Sequence, residues 1–253
     1  MVGTLLLRGM LVGIVAGILC FAFLKVVGEP PVERAIAFEK QSDEAKAKSL
    51  SLPMEEPKPE LVSRQVQAGI GLFTGVMVYS AAFGGLFALV FALTYGRMGD
   101  FGPRATSALL AAAGIIAVSI VPNLKYPANP PTVGDPDTIG ARTALYFAMI
   151  AISLGVMIGA AMLRRRLLRR YGGWDASLLA AAAYLIVVVA AGLLLPTINE
   201  VPDQFPAVVL WQFRIASLGA QLIMWTTIGL VFGALTERAA TAKRLRPKVA
   251  AFR

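Results

Sequence analysis

The sequence predicts an all-α integral membrane protein with six transmembrane helices. Of the 253 residues, 57% are hydrophobic and only 15% are charged, whereas soluble domains carry about 25% charged residues. The mean hydropathy is +0.69. Segments of about 20 apolar residues can cross a bilayer, and six are predicted within a single membrane domain, 1–253: 5–27, 68–95, 104–121, 141–163, 176–195 and 208–235.

The first segment, 5–27, is predicted to be an uncleaved helix. Arg8 precedes a long apolar run, and five further spans come after it. Its glycines at four-residue intervals would let another helix backbone approach closely. Tight helix packing is therefore predicted for this repeat and for its later copies: Gly9/Gly13/Gly17, Gly71/Gly75, Gly155/Gly159 and Gly229/Gly233.

The stretch 28–67 is polar and is predicted to be an extracytoplasmic linker. Val32, Ala35, Ile36 and Glu39 follow helical spacing, which indicates a short amphipathic helix at the outer surface. The stretch is too small and too poor in apolar residues to fold as a domain, so we expect it to drape over the helices. The last stretch, 236–253, is predicted to be a basic cytoplasmic tail.

The net charge of +9 is concentrated beside membrane segments, which argues against a nucleic-acid partner. Basic residues cluster on the cytoplasmic side of membrane proteins. Both termini are therefore predicted to be cytoplasmic, because the clusters follow the fourth and sixth segments: Arg164, Arg165, Arg166, Arg169 and Arg170, then Lys243, Arg244, Arg246 and Lys248.

A weak internal repeat favours three helical hairpins in parallel orientation, related by pseudo-threefold symmetry. The odd segments end near Pro30-Pro31, Pro122 and Pro196, and the even segments begin near an arginine. Polar residues concentrate on the even segments, which predicts that the even helices form an inner layer and the odd helices face lipid. The candidates for lining a pathway are Met77, Tyr79, Ser80, Ser153, Met157, Gln221 and Met224.

The stretch 122–146 contains five prolines and is predicted to form a stiff, acidic outer loop that packs against 196–214. Asp135 and Asp137 could attract a hard divalent cation together with backbone carbonyls. The alternative is that Asp137 or Thr138 only caps the following helix.

Two interpretations are open for three arginines at predicted outer helix ends, namely Arg64, Arg142 and Arg214. They could pair with Glu29, Asp137 and Glu200 or Asp203 as a latch, or they could only anchor the helices in the headgroup layer. The first interpretation predicts an outer polar network of Glu29, Arg64, Gln67, Arg142, Glu200, Asp203 and Arg214.

The residue types exclude several kinds of catalytic site. The chain has no histidine, a single cysteine and no glycine-rich loop ending in Gly-Lys-Ser/Thr. A histidine-activated nucleophile or a thiolate metal cluster is therefore excluded, and Cys20 is predicted to be a small buried side chain. The sequence predicts neither an enzyme nor a cofactor.

The chain resembles the CbtA family over essentially its whole length. The resemblance is carried by Y-P-A-N-P-P-T-V-G-D-P-D-T-I-G-A-R-T-A-L-Y from Tyr126, G-E-P-P-V-E-R-A from Gly28 and V-S-R-x-V-Q-x-G from Val62. It implies a subunit of a cobalt uptake permease in the bacterial cytoplasmic (inner) membrane. It also implies a small partner, CbtB, with one membrane helix and a histidine-bearing terminus.

Three functions remain open from the sequence: a divalent-cation permease subunit, a transporter of an organic solute or anion that uses Arg64, Arg142 and Arg214, and a membrane scaffold without transport activity. Transition-metal sites draw mainly on imidazole, thiolate and carboxylate ligands, and the predicted spans hold hardly any of these. The sequence therefore favours a conduit whose selectivity comes from a histidine-bearing partner. It leaves the oligomeric state open.

Overall fold

The computed structural model describes residues 2–49, 62–97, 99–131, 133–134 and 136–250, except the side chains of residues 136 and 243–250. Within these ranges the regular structure is entirely helical and contains no strand. Five of the described helices are long and apolar enough to cross a membrane: α1 Val2–Ser49, α2 Arg64–Thr94, α3 Pro103–Lys125, α4 Ile139–Leu194 and α5 Ala207–Ala242.

Helix α4 contains both the fourth and the fifth predicted segments, 141–163 and 176–195. Its 56 residues would measure about 84 Å at 1.5 Å per residue, far more than the hydrocarbon core of about 30 Å. The regular helix is interrupted at Gly172, whose φ of 75° and ψ of 177° lie outside the helical region. This φ favours glycine, which has no Cβ to clash with the backbone. Ile139–Leu194 therefore counts as one of five long helices but consists of two helical stretches that meet at Gly172, whereas the sequence predicts six separate helices.

The predicted linker and tail are largely helical. Residues Glu29–Ser49 continue the first span without a break, so the predicted short helix is longer than expected. Residues 50–61 of the linker lie outside the described ranges. The predicted basic tail begins within a helix, Gly233–Ala250, and its last three residues are likewise outside the description.

Two prolines that were expected to mark helix ends lie inside helices instead. The π-helical turn Leu24–Gly28 ends two residues before Pro30, and a second one, Ile115–Ile120, ends two residues before Pro122. A proline ring normally clashes with the carbonyl four residues earlier. A wider π turn at that position accommodates the ring, which explains why α1 and α3 continue through their prolines. Of the three prolines expected at odd helix ends, Pro196 does follow one, at Leu194.

Side chains satisfy several carbonyls in π turns, which also occur at Gln67–Gly71 and Ile228–Phe232. Lys25 donates from Nζ to the Ala68 carbonyl at 3.0 Å, and Ser107 donates from Oγ to the Gly229 carbonyl at 2.6 Å. The Asn123 amide donates to the Ser119 carbonyl at 2.8 Å. A π turn displaces carbonyls from their usual helical partners, and a buried carbonyl needs a donor. These side chains therefore help to hold the irregular turns within otherwise regular helices.

The chain divides into two compact units, one of residues up to Ala112 together with those from Ile215 onward, the other Ala113–Arg214. In the first unit, α1 and α2 pack backbone to backbone. A Cβ added to Gly13 would lie 2.9 Å from the Ser80 carbonyl carbon, and one added to Gly84 would lie 2.9 Å from the Gly13 Cα. The first glycine repeat thus makes the close helix contact that its spacing predicts.

An aromatic cluster fills the core of the first unit beside this contact. The Phe232 ring meets the rings of Phe87 and Phe91 edge to face, with centroids 5.6 and 5.1 Å apart. The Trp225 ring meets Phe83 in the same way at 4.8 Å. Edge-to-face contacts of this kind contribute about 0.5–1.5 kcal/mol beyond the burial of apolar area. The cluster therefore fixes α5 against α2.

The second unit has a smaller core of its own, formed by Val121, Met149, Tyr184 and Val188. The Tyr184 hydroxyl lies 2.8 Å from Ser153 Oγ, and both side chains are buried. This hydrogen bond joins the two stretches of α4 on either side of Gly172. It satisfies two polar groups that would otherwise be unpaired among apolar side chains.

The predicted sorting of helices into an inner even layer and an outer odd layer stays a prediction, and the burial of the glycine repeats does not follow helix parity. Odd helix α1 buries its whole Gly9–Gly13–Gly17 face, whereas Gly155 and Gly159 on an even segment have no atom within 4 Å of an added Cβ. Close approach depends on which glycine face meets a partner helix, and the number of polar residues on a segment does not determine it. The threefold relation between hairpins stays a prediction.

Candidate functional site

A network of hydrogen bonds and ion pairs joins the proline-rich loop to the segment after α4, all within the second unit. The Glu200 carboxylate forms an ion pair with Arg142, whose Nε lies 3.2 Å from Oε2, and accepts a short hydrogen bond from the Thr138 hydroxyl. The Arg142 and Glu200 side chains are only 26% and 15% exposed. This partly buried pair holds the start of α4 against the loop that precedes α5.

Four further hydrogen bonds join the same two segments. Arg214 donates from Nε to the Ala128 carbonyl at 3.2 Å and from Nη2 to Asn129 Oδ1 at 3.0 Å. Lys125 Nζ lies 3.0 Å from Thr197 Oγ1, and the Tyr126 hydroxyl donates to the Pro196 carbonyl at 2.8 Å. Partial burial raises the pKa of Tyr126 above its ordinary value. The stretches 122–142 and 196–214 thus pack together, as the sequence predicts.

Gly134 lies at the centre of this network. Its φ is 117°, and an added Cβ would lie 2.8 Å from Glu200 Oε2 and 2.9 Å from Arg142 Cζ. Alanine at this position would strain the backbone and also displace both partners of the ion pair.

We expect Gly134→Ala to lower the free energy of unfolding by about 3 kcal/mol, because backbone strain and overlap each contribute about 1–3 kcal/mol. Gly99→Ala is the matched control, since Gly99 has a similar φ of 111° but its nearest side-chain atom is 3.7 Å away. Thermal unfolding in detergent measures both variants. Equal losses would mean that the ion pair accommodates the methyl group freely.

In the first unit, the Arg64 guanidinium pairs with the Glu29 carboxylate, the partner that the sequence suggests. The side chains are 30% and 12% exposed. Gln67 donates from Nε2 to the Val62 carbonyl at 2.8 Å, at the start of α2. This pair connects α2 to the middle of α1.

The carboxylates proposed to attract a cation are not assembled into a metal centre in the described part of the chain. Asp137 and Asp203 are exposed, and Asp135 lies outside the described residues. Among the described side chains, no three from Cys, Asp and Glu group closely enough to hold a metal ion. A metal-binding role for Asp135 and Asp137 therefore stays a prediction.

The candidate pathway residues of the first unit differ in burial. Ser80 is 1% exposed, its hydroxyl has no hydrogen-bond partner, and Met224 is 3% exposed. Met77 and Gln221 are half-buried, whereas Tyr79 is 51% exposed. In the second unit Ser153 is fully buried against Tyr184, and Met157 packs at the edge of that core.

Sequence reasoning missed a group of contacts at the other ends of the first-unit helices. Arg104 at the start of α3 forms an ion pair with Glu237 of α5, and Arg8 of α1 donates to the Thr236 hydroxyl at 3.1 Å. The sequence contained a signal for the Arg104–Glu237 pair, because Glu237 is a rare acidic residue among basic residues at the end of a span. Asn129 and Thr138 were also missed as partners, because loop packing brings them to their arginine and glutamate.

The comparison with protein families agrees with the resemblance noted in the sequence. The model of the CbtA family, described as a probable cobalt transporter subunit, matches residues 2–237. No significant match was found among curated proteins or among solved structures. The match covers nearly the whole chain and includes every long helix at least in large part. This chain therefore belongs to the CbtA family of probable cobalt transporter subunits.

Proposed function

We propose that this chain is the membrane conduit of a Co²⁺ uptake permease. The observation that carries the proposal is the family match over residues 2–237 of a chain rich in membrane-spanning helices. In this proposal α4 crosses the membrane twice, once on each side of Gly172, which gives six crossings. The arginines before Gly172 then place both termini in the cytoplasm of a bacterial inner membrane.

The contacts of the three arginines favour a cation over an organic anion as the substrate. Arg64 pairs with Glu29, Arg142 pairs with Glu200, and Arg214 donates to Ala128 and Asn129. Guanidiniums engaged in this way have lost much of the bidentate capacity that recognition of an anion requires. We therefore assign the three arginines a structural role at the outer ends of their helices.

Selectivity for cobalt is assigned to a partner protein. The chain has no histidine and one cysteine, and oxygen atoms together with methionine thioethers cannot readily distinguish Co²⁺ from other divalent ions. The unpartnered Ser80 hydroxyl, with Met77 on the same helix, supplies ligands suited to the passage of a partly hydrated ion. The family resemblance suggests that a small CbtB-like subunit supplies the imidazoles.

The proposal is tested by Co²⁺ flux into proteoliposomes containing the full chain, with and without the partner. We expect flux with the partner and a marked loss of preference for Co²⁺ over Mg²⁺ without it. Ser80→Ala should lower the flux several-fold, and Ser217→Ala, at a half-buried serine of α5, should leave it unchanged. Absence of flux with the partner would contradict transport of cobalt, and tight, selective Co²⁺ binding by this chain alone would contradict the role of the partner.

A further inference from the structure

Four exposed arginines share one face of α4 just before Gly172. At about 100° per residue, Arg165, Arg169, Arg166 and Arg170 lie at 0°, 40°, 100° and 140° around the helix axis. Arg164 lies outside this arc, and its Nε donates to Ser177 Oγ at 2.8 Å. The four side chains therefore form a continuous cationic strip, which we call the arginine face.

The arginine face is unfavourable for an isolated helix. Arg166 and Arg170 form a like-charge pair spaced four residues apart, and such a pair destabilises a helix. Control of orientation depends on the number of basic residues and does not require them to share a face. A bound anion lying along the face would offset the repulsion.

Aromatic side chains locate this face at a membrane boundary. Tyr171 is 42% exposed and Trp174 is 76% exposed, directly after the arginines. The Arg170 guanidinium lies over the Tyr171 ring, 5.3 Å from its centroid. Exposed Trp and Tyr side chains beside a span are typical of the headgroup level, where they have both apolar and polar surroundings.

We propose that the arginine face binds the headgroup of an anionic phospholipid. Guanidinium forks match phosphate oxygens in bidentate geometry, and basic clusters next to membrane spans attract anionic lipids. The exposed aromatic rings favour a lipid over free phosphate, because they contact the acyl-chain boundary as the arginines contact the phosphate. The inference rests on the membrane location of the protein and is independent of which ion it transports.

The test is binding of fluorescent phosphatidylglycerol to the purified full-length chain in neutral detergent, with phosphatidylcholine for comparison. We expect the chain to bind phosphatidylglycerol at least about tenfold more tightly than phosphatidylcholine. The variant R165Q/R166Q/R169Q/R170Q should lose this preference. The control variant R34Q/K40Q/K46Q/K48Q removes the same number of positive charges from exposed positions of α1 and should keep it.

Equal binding of the two lipids by the unmodified chain would overturn the proposal, as would equal losses in the two quadruple variants. Displacement of phosphatidylglycerol by a small excess of inorganic phosphate would also overturn it, because the site would then recognise a soluble anion. Circular dichroism and size-exclusion chromatography check the folding of each variant. If the quadruple variant fails to fold, the double variant R166Q/R169Q replaces it. This variant retains Arg165 and Arg170 of the arginine face and should still weaken phosphatidylglycerol binding several-fold.

Discussion

Replacing Gly13 with alanine is expected to lower the free energy of unfolding by about 1–3 kcal/mol, the usual cost of an overpacked helix contact. The added Cβ would lie 2.9 Å from the Ser80 carbonyl carbon and 3.0 Å from the Ala81 Cα. Both atoms belong to the backbone, so no side chain can rotate to make room. Helices α1 and α2 would have to separate, and the neighbouring contacts of Gly9 and Gly84 would weaken with them.

The matched control is Gly155→Ala, in a second glycine pair with the same four-residue spacing. No atom lies within 4 Å of a Cβ added to Gly155, so only the higher helix propensity of alanine remains. That propensity stabilises a helix by up to about 1 kcal/mol, and the two substitutions should therefore have opposite signs. Reversible unfolding in mixed micelles measures both. Destabilisation by Gly155→Ala comparable to that of Gly13→Ala would show that the Gly155 face is covered.

Glu200→Gln is expected to cost about 2–4 kcal/mol and to loosen the proline-rich loop. The substitution removes the carboxylate from the ion pair with Arg142 at a site where the Arg142 side chain is only 26% exposed. Removing one partner of a buried ion pair costs about 3–5 kcal/mol, and the partial exposure of this pair reduces the expected loss. Faster hydrogen exchange of the amides around Val133 and Gly134 should accompany the lower unfolding free energy.

Two variants separate the ion pair from a general effect of charge. Asp203→Asn also removes one negative charge, but from an exposed side chain in the same segment, and should change stability by less than about 0.5 kcal/mol. The double variant R142Q/E200Q should lose less than the sum of the two single losses, because both single substitutions break the same ion pair. Additive losses would mean that the two side chains act independently.

The sequence determined the class of this protein. Long apolar runs with few charges need a lipid environment, so an all-helical chain with helices long enough to cross a membrane could be expected without knowledge of their packing. The close contact of α1 with α2 followed from the spacing of Gly9, Gly13 and Gly17, because a face without side chains permits backbone approach. The joining of the proline-rich loop to the segment after α4 was likewise expected from their position at outer helix ends.

The tertiary structure decides which residues come into contact, and the spacing of residues along the chain does not determine this. Two glycine pairs share the same four-residue spacing but differ in their surroundings. Another helix packs against Gly229 and Gly233, whereas no atom lies within 4 Å of a Cβ added to Gly155 or Gly159. Pro30 and Pro122 lie within helices because a π turn precedes each of them, a local geometry that no residue pattern specified. The Asn129 partner of Arg214 and the Thr138 partner of Glu200 follow from the path of the loop. Side chains from distant positions meet only where packing brings their backbones together, and no local sequence pattern encodes that.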